Sequence, residues 1–486
     1  MRALQPGRDR APERGGDRNP SSFKDGAVTT TPGFKEAFAQ YVAGGWQGLQ
    51  HPADFGGQGL PKTIGAACGE MLNSANMSFA LCPLLSDGAI EALLTAGSDE
   101  LKAVYLEKLV SGQWTGTMNL TEPQAGSDLA MVRSRAEPQV SPSGQPDGTY
   151  KVFGTKIFIT YGEHDMAENI VHLVLARVTG APEGVKGISL FVVPKFIVGK
   201  DGSLGARNDV HCVSIEHKMG IKASPTAVLQ YGDNGGAVGY LVGQENRGLE
   251  YMFIMMNSAR YAVGMQGIAI AERAYQHAVA YAKDRVQSRP VDGSINTSAP
   301  IIHHPDVKRM LMTMRAYTEG CRAMSSVAAA AYDAAHHHPD ADARKQNQAF
   351  YEFMVPLVKG YSTEMSLEVA SLGVQVHGGM GFIEETGAAQ YYRDAKILTI
   401  YKAPPPSRPT TSWAARRRAT AARWRRPSLA RSRRPKARSP GVTASPPGPW
   451  PGASPPPARL SSTWWASSCS RARVRPTRCL PAPCRT

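Results

Sequence analysis

The spacing of apolar residues divides this chain into three parts. Helical intervals separate the apolar residues from Phe34 to Val42, and similar spacing recurs over residues 63–97 and 100–111. Between about residues 118 and 245 the apolar period shortens to two, in short β-rich runs bounded by Gly, Pro and Asp. Helical spacing then returns and continues to about residue 401. The pattern predicts an α+β protein with a helical domain, a β domain and a helical bundle, in that order.

Individual elements follow from the same pattern. The predicted strands are Tyr150–Thr160, Ile170–Val178, Gly187–Pro194 and Ala227–Tyr231, and the predicted bundle helices include Val307–His336, Gln346–Gly373 and Glu384–Lys396. Short strands separated by turn residues indicate an antiparallel sheet, and long amphipathic helices with short links indicate a bundle. The predicted divisions are 1–32 (disordered, because it lacks periodicity), 33–117 (helical), 118–245 (β), 246–401 (bundle) and 402–486 (basic tail).

The positive charge of the chain is concentrated in its last part. The net charge of +15 over 486 residues at first suggests a nucleic-acid partner. Residues 403–486, however, hold seventeen Arg, one Lys and no acidic residue, which leaves 37 of the 55 basic residues against 40 acidic ones in 1–402. We therefore expect no nucleic-acid partner and predict a disordered tail, with a basic nucleic-acid-binding arm as the alternative interpretation of that tail.

Cysteines and apolar runs bear on the compartment. The seven Cys include no C-x-x-C pair and no zinc spacing, which fits a reducing compartment. No apolar run approaches the roughly 18 residues of a membrane span, and the N-terminus shows no apolar signal-peptide core. We expect a cytoplasmic protein without a membrane segment. His303, His304 and residues 336–338 are interpreted as solvated loop histidines rather than metal ligands, because no acidic partners stand at fixed spacing.

Two motifs carry the candidate chemistry. Met118-Asn-Leu-Thr-Glu-Pro-Gln-Ala-Gly-Ser-Asp128 is a turn-rich loop whose glycine permits close backbone approach and whose Thr121 and Ser127 offer hydroxyls beside free amides. Lys156-Ile-Phe-Ile-Thr-Tyr-Gly162 follows within the β region. The first loop alone could be a surface turn, but the pair resembles the flavin-binding signature of the acyl-CoA dehydrogenase family. The resemblance extends from about residue 33 to residue 401.

This resemblance implies an FAD cofactor and assigns residues to it. In the family the first loop lies against the pyrimidine edge of FAD, and its serine contacts the acyl-CoA. An aromatic residue and a threonine of the second stretch flank the flavin ring and its reactive nitrogen. We therefore expect these residues at the flavin, with Ser127 also at the substrate: Leu120, Thr121, Ser127, Phe158 and Thr160.

A second cofactor region lies in the predicted bundle. Val374-Gln-Val-His-Gly-Gly-Met-Gly-Phe382 could serve only for helix packing and a tight turn, and Arg285 could be an unpaired helix-end arginine. The family resemblance implies instead contacts with the pyrophosphate of an FAD bound mainly to a neighbouring subunit, a role suited to guanidinium geometry. The residues so implied are Arg285, Gln375, Gly378 and Gly379. The resemblance also implies that Arg260 lines the active site.

The fold and reaction implied are those of the family. The fold has an N-terminal helical domain, a barrel-like antiparallel middle domain and a C-terminal helical bundle, and its front looks truncated. The reaction is FAD-dependent α,β-dehydrogenation of an acyl-CoA, with an electron-transfer flavoprotein as acceptor and a homodimer or tetramer as assembly. Residues 208–221 and 232–240 look like the 3-methylmercaptopropionyl-CoA dehydrogenase-like branch. Alternative functions are an acyl-CoA oxidase of the same fold and an inactive flavin- or acyl-CoA-binding remnant.

The family pattern breaks at the catalytic position. The usual base is a glutamate directly after Ile-Tyr, where this chain has Lys402, and the alternative base position before Arg260 holds Ala259. A lysine is cationic near neutral pH, so no intact catalytic base is expected. Deleting the first G from codons for Glu-Gly-Thr-Thr-Ala-Ile-Gln-Ala-Asn-Asp-Leu-Val-Gly-Arg-Lys yields Lys402–Ala415 without an error. We therefore interpret residues 402–486 as a frameshifted tail.

Overall fold

The computed structural model describes residues 12–199 and 201–401. Its helices are α1 (Pro12–Arg18), α2 (Phe34–Ala43), α3 (Lys62–Ala75), α4 (Met77–Ala96), α5 (Asp99–Ser111), α6 (Gly248–Asp284), α7 (Pro305–His337), α8 (Ala341–His377), α9 (Gly379–Phe382) and α10 (Ala388–Leu398). Its strands are β1 (Ser22–Lys24), β2 (Ala27–Thr29), β3 (Trp114–Asn119), β4 (Arg135–Val140), β5 (Pro146–Thr160), β6 (Asn169–Val178), β7 (Ser189–Pro194), β8 (Phe196–Val198), β9 (Leu204–Arg207), β10 (Val210–Ile215), β11 (Thr226–Tyr231) and β12 (Ala237–Leu241). The four predicted strands correspond to β5, β6, β7 and β11, and the predicted bundle helices to α7, α8 and α10.

Helix α4 is the central helix of the N-terminal helical part. The helical spacing over residues 63–97 belongs to two helices, because Asn76 caps α4 by accepting a hydrogen bond from the Phe79 amide at 3.0 Å. By length and composition alone, α4 is the one described helix that could span a membrane, which corrects the expectation that no apolar run is long enough. The expectation overlooked it because Asp87 and Glu91 interrupt the run. In the fold α4 is mostly buried, and α6 and β3 pack against it.

The β region closes into a ring of five strands. β5 pairs with β12, β12 with β7, β7 with β6, β6 with β4, and β4 with β5. β3 extends the sheet from β6, while β11 and then β10 extend it from β5. The barrel-like prediction is confirmed with one correction: β3 and β4 run parallel to β6. Other strands and turns separate each of them from β6 along the chain, and parallel pairing needs such an excursion.

Three long helices make up the C-terminal bundle. α6, α7 and α8 pack along one another, and α10 packs against α6 and α8. Apolar residues of α6 and α8 such as Val263, Ile270 and Val369 are fully buried in one cluster. The two helices approach so closely that a Cβ at Gly267 would lie 2.7 Å from the Ser362 carbonyl oxygen. The predicted helical bundle is confirmed.

The expectation of disorder over residues 1–32 is wrong for residues 12–32. Helix α1 and the β1–β2 hairpin occupy this stretch. Asp17 accepts hydrogen bonds of 2.8 and 2.6 Å from Arg393 of α10, and the Thr30 hydroxyl donates to Asp165 at 2.6 Å. Such distant partners cannot be seen in local composition. Residues 1–11 and the predicted tail at 402–486 lie outside the described residues.

Candidate functional site

The loop after β3 carries the first group of predicted residues. β3 is a fully buried edge strand, and Leu120 and Thr121 follow its last residue. A tight turn comes next, in which Glu122 and Ala125 exchange main-chain hydrogen bonds of 3.1 and 2.9 Å. The hydroxyls and main-chain amides of Thr121 and Ser127 make no hydrogen bond to any residue that the structure describes. They are therefore available to a polar ligand.

A buried ion pair joins this loop to the second motif. Lys156 of β5 is fully buried, and its ammonium donates to the Glu122 carboxylate at 2.7 Å and to the Leu120 carbonyl at 3.2 Å. The Ile157 amide donates to the Thr121 carbonyl at 2.9 Å. The two sequence motifs therefore form one connected structure.

The Glu122 carboxylate accepts hydrogen bonds on both oxygens. Besides Lys156, its donors are the Ser134 amide (3.1 Å) and hydroxyl (2.6 Å), the Arg133 amide (2.7 Å) and the Gln124 side chain (2.6 Å). Burial alone would raise the pKa of Glu122, but the charge of Lys156 and these hydrogen bonds together hold that pKa below its usual range. Burial lowers the pKa of Lys156 to about 8, against the attraction of Glu122. The pair is thus ionised near neutral pH.

The second motif contains strained backbone. Phe158 and Tyr161 are non-glycine residues in the left-handed region, with φ of 58° and 51°, which costs on the order of 1–3 kcal/mol each. The pairing of β5 with β11 shifts register beside Phe158, as it does at a β-bulge. The Phe158 side chain is 60% exposed, and the Thr160 hydroxyl has no hydrogen-bond partner within the described residues. An exposed aromatic ring on strained backbone is typical of a ligand-binding site.

Arg260 lies on the helix that packs beside the first loop. Its neighbour Ala259 belongs to the same buried apolar cluster as Met118 of β3. The partly buried Arg260 guanidinium donates to the Asn257 side chain at 3.0 Å and lies 6.0 Å from the centre of the Phe253 ring. Ala259, the alternative base position, is buried and carries no titratable group.

The last described residue is anchored to α6 by side-chain hydrogen bonds. The Tyr401 hydroxyl donates to the Gln266 side-chain oxygen, and the Gln266 amide donates to Asn73 of α3 at 3.1 Å. Burial raises the pKa of the Tyr401 phenol, so that it stays protonated and remains a donor. Gln266 lies six residues beyond Arg260 on α6, about 9 Å along the helix axis. Lys402 follows Tyr401 directly but lies outside the described residues, so the missing base stays a prediction.

The second group of predicted residues gathers at one end of the bundle. The Tyr281 ring of α6 stacks on the His377 imidazole of α8 with ring centres 4.4 Å apart, which brings Arg285 and the turn after His377 to the same end. Arg285 is exposed, and its one side-chain hydrogen bond within the described residues goes to Gln287 at 3.1 Å. Gln375 is exposed as well. Gly378 has a φ of 60°, and a Cβ at Gly378 or Gly379 would meet no atom within 4 Å.

The predicted residues thus fall into two groups. We call Leu120, Thr121, Ser127, Phe158 and Thr160 the motif site, and Arg285, Gln375, Gly378 and Gly379 the bundle end. Sequence reasoning missed Glu122, Lys156 and Gln266. One acidic and one basic residue, each inside a candidate motif, could have indicated the ion pair. Gln266 carries no such signal, because its partners are 193 and 135 residues away along the chain.

The histidine groups flank the two ends of α7, and the loop interpretation is wrong for His336 and His337. His304 precedes the first residue of α7, and His336 and His337 form its last turn. At residues 336–338, the run of three polar residues concealed the continuation of the helix that precedes it. Among residues 12–199 and 201–401, no cluster of His, Cys, Asp and Glu is placed to hold a metal ion.

Comparisons with known proteins decide the family. The profiles of the N-terminal, middle and C-terminal domains of acyl-CoA dehydrogenase match residues 26–113, 117–233 and 246–402. The chain belongs to the acyl-CoA dehydrogenase family. The predicted family and fold are therefore confirmed, and FAD is the cofactor of this family.

Individual relatives cover most of the chain. The 3-methylmercaptopropionyl-CoA dehydrogenase of Ruegeria pomeroyi is 62% identical over 387 residues, which are 80% of this chain and 64% of that protein. The acryloyl-CoA reductase (NADH) of Anaerotignum propionicum is 30% identical over 374 residues, which are 76% of this chain and 82% of that protein. The acyl-CoA dehydrogenase of Bacillus anthracis complexed with FAD has a TM-score of 0.65 and 24% identity, covering 82% of this chain and 62% of that chain. This chain spans less than two thirds of the first curated relative's length.

The residues present fit an FAD cofactor. The motif site offers unbonded amides and hydroxyls from Thr121 and Ser127, which match the hydrogen-bonding edge of a flavin. The exposed Phe158 ring offers an apolar face to an aromatic ligand. Arg285 at the bundle end is a suitable cation for a pyrophosphate.

Proposed function

We propose that this chain binds FAD at the motif site and an acyl-CoA thioester beside it. The observation that carries the proposal is the connection of the two motifs through Lys156, which presents the unbonded groups of Thr121 and Ser127 together with the exposed Phe158 ring. FAD, when bound, accepts a hydride from the β-carbon of the thioester. Ser127 and Arg260 are the proposed substrate contacts, and removal of the α-proton requires a base, for which this chain has Lys402 and Ala259 at the two known positions.

The proposed reaction is α,β-dehydrogenation of an acyl-CoA. The first substrate to test is 3-methylmercaptopropionyl-CoA, because the Ruegeria pomeroyi relative that bears this name is 62% identical to the chain. We propose an electron-transfer flavoprotein as the acceptor and the cytoplasm as the compartment. An acyl-CoA oxidase of the same fold differs in one observable property, since its reduced flavin is reoxidised directly by air.

We further propose that the bundle end of one subunit completes the FAD site of another, in a homodimer or tetramer. Support comes from the exposure of Arg285 and Gln375 and from the open space around Gly378 and Gly379. Groups that face outward and have few partners in their own chain are suited to contact a ligand held by a second subunit.

Catalysis itself is proposed to be impaired at position 402. The family's base position holds Lys402, and the match to the C-terminal domain profile ends at that residue. A frameshift there explains both the lysine and the proline-rich residues that follow. Tyr401, directly before this position, is held by Gln266. The chain therefore keeps the anchored residue that precedes the base position but lacks the base.

The test compares three proteins: the chain as given, Lys402→Glu, and the chain with its reading frame restored at codon 402. We expect all three to bind FAD, measured by flavin absorbance after reconstitution. With acyl-CoA and an artificial electron acceptor, the given chain should be inactive, because loss of a general base reduces the rate by about 10²–10⁴. Lys402→Glu should recover little, because the sequence Pro404-Pro405-Pro406 is incompatible with a helix interior, and a displacement of a catalytic group by about 1 Å reduces the rate by roughly 100-fold.

Full activity of the given chain or of Lys402→Glu would contradict the account of the base. Absence of flavin binding in all three proteins would contradict the proposed function as a whole. If the restored enzyme's reduced flavin does not persist in air, the oxidase alternative is favoured.

A further inference from the structure

The loop between β3 and β4 is attached to the second motif at very few points. Within the described residues, one attachment is the main-chain hydrogen bond from Ile157 to Thr121. The others run through the Lys156 ammonium, which binds the Leu120 carbonyl and the Glu122 carboxylate. The position of the loop relative to Phe158 and Thr160 therefore depends on one main-chain hydrogen bond and on a single buried lysine with its partner.

The same carboxylate also holds the returning part of the loop. Glu122 accepts the main-chain amides of Arg133 and Ser134, the last two residues before β4. Its side chain thus connects the beginning of the loop, the end of the loop and β5. Glu122 is 3% exposed and Lys156 is 0% exposed, so these two residues lie beneath the loop and do not reach its ligand-facing surface.

We propose that Glu122 and Lys156 are positioning residues for the flavin-contacting loop. Lys156 holds the Leu120 carbonyl, and the adjacent Ile157 amide holds the Thr121 carbonyl, so that the Thr121 amide and hydroxyl have no hydrogen-bond partner among the described residues. The inference rests on the proposed binding of FAD and adds the residues that orient the loop for it. Neither residue is expected to touch the cofactor.

Removing one partner should loosen the loop and weaken FAD binding. Lys156→Met removes the two ammonium hydrogen bonds to the loop and leaves the Glu122 carboxylate buried without its counter-charge, which destabilises the loop in its present position. Residues that orient the ligands of metal sites change metal affinity by about 10- to 100-fold when they are lost, and we expect an effect of similar size here. We expect the dissociation constant of FAD to rise by on the order of 10- to 100-fold in Lys156→Met and in Glu122→Gln.

A double variant separates positioning from stability. Glu122→Gln with Lys156→Met removes both charges, so no uncompensated charge remains buried and the melting temperature should recover relative to Lys156→Met. The two attachments through the Lys156 ammonium are still lost, and only the main-chain hydrogen bond from Ile157 to Thr121 remains, so FAD affinity should stay low. A purely structural ion pair would let stability and affinity recover together.

The matched control is the ion-pair cluster of Arg322. Its guanidinium donates to Glu70 at 2.6 Å and to Glu272 at 2.7 Å, linking α7 to α3 and α6 away from both motifs. Arg322→Met removes a comparable number of charge-assisted hydrogen bonds. It should lower the melting temperature without changing the dissociation constant of FAD.

The experiment measures FAD affinity by fluorescence titration and stability by thermal unfolding, for the full chain and the four variants. Weaker FAD binding in both single variants and the double variant, with parent-like binding in Arg322→Met, supports the inference. Parent-like FAD affinity in Lys156→Met and Glu122→Gln overturns it while leaving the proposed function standing. If the parent chain itself fails to bind FAD, the proposed function fails, and the positioning role fails with it.

Discussion

The motif site and the bundle end differ in how this chain holds them. The motif site rests on a buried ion pair, saturated hydrogen bonds and two strained residues, all supplied within residues 120–161. At the bundle end, Arg285 bonds Gln287 through an exposed side chain, and the open space around Gly378 and Gly379 leaves the turn uncovered. The motif site is therefore oriented by contacts within its own chain, whereas the bundle end presents exposed groups at the end of a helix.

This difference suggests that the motif site and the bundle end have different roles in ligand binding. Strained conformations such as that of Phe158 persist where the surroundings enforce them, so the motif site should keep its shape in an isolated subunit. The bundle end has no comparable enforcement, and its contribution should appear when a second subunit brings a ligand to it. The first prediction below tests whether the two regions belong to one subunit's FAD site or to two, and the others test how firmly each region is held.

The largest effect is expected from complementation between subunits. Phe158→Glu places a charge at the motif site, and Arg285→Glu reverses a charge at the bundle end. Both positions are exposed, so both variants should fold, and each alone should lose FAD. Mixing equal amounts and allowing subunit exchange should restore FAD to about one quarter of the sites, because half the dimers are mixed and one of their two sites is intact.

FAD absorbance after gel filtration measures this recovery. A mixture that stays colourless while exchange is shown to occur would place both regions in one subunit's site. Parent-like FAD content in Arg285→Glu alone would remove the bundle end from the site.

Three glycines should give graded effects on stability. Gly154→Ala combines a φ of 136° with a Cβ only 2.4 Å from the Ser134 hydroxyl, a donor to Glu122, and should lower the free energy of unfolding by about 3 kcal/mol. Gly378→Ala meets no atom but keeps a φ of 60° with a ψ of −140°, a backbone conformation that glycine adopts far more readily than alanine, so about 2 kcal/mol is expected. Gly379→Ala has neither problem, and its effect should stay within about 0.5 kcal/mol.

Denaturant unfolding measures the free energy of unfolding of the three variants, and FAD titration shows whether each substitution also changes cofactor binding. If the bundle end meets a cofactor, Gly379→Ala should weaken FAD binding although its stability is unchanged. Equal losses of stability in the three variants would show that the space around the glycines does not distinguish the two regions.

The smallest expected effect is on the pH dependence of stability, in the part that Glu122 contributes. The pKa of Glu122 is held below the ordinary value of 4.5, so its ionised form stabilises the fold fully above pH 4.5. That contribution is lost as the pH falls below 4.5 and through the lowered pKa of the folded state. Glu122→Gln should therefore lose less stability than the parent over this acid range, measured as melting temperature against pH. If the melting temperature of Glu122→Gln falls with pH as steeply as that of the parent, Glu122 does not contribute to the acid dependence of stability.

Much of the fold could be predicted from local patterns. Helical spacing located the helices of the bundle, and short β-rich runs bounded by turn residues located strands β5, β6, β7 and β11. The candidate residues of both regions were found from short motifs, in which glycines permit close backbone approach and hydroxyls can bond a ligand. Charge counting separated residues 403–486 from the rest without any structure.

Other features depended on partners far away in the chain. Residues 12–32 have the composition of a disordered segment, yet Asp17 is held by Arg393 and Thr30 by Asp165. The parallel pairing of β3 with β6, the ion pair of Glu122 with Lys156 and the anchoring of Tyr401 by Gln266 arise in the same way. Local propensity acts over a few residues, whereas these contacts exist only once the ring of strands and the bundle have brought distant segments together. The sequence by itself therefore determined, through its family resemblance, which residues are proposed to contact a flavin, and the tertiary structure decided which of them are held in place by distant partners.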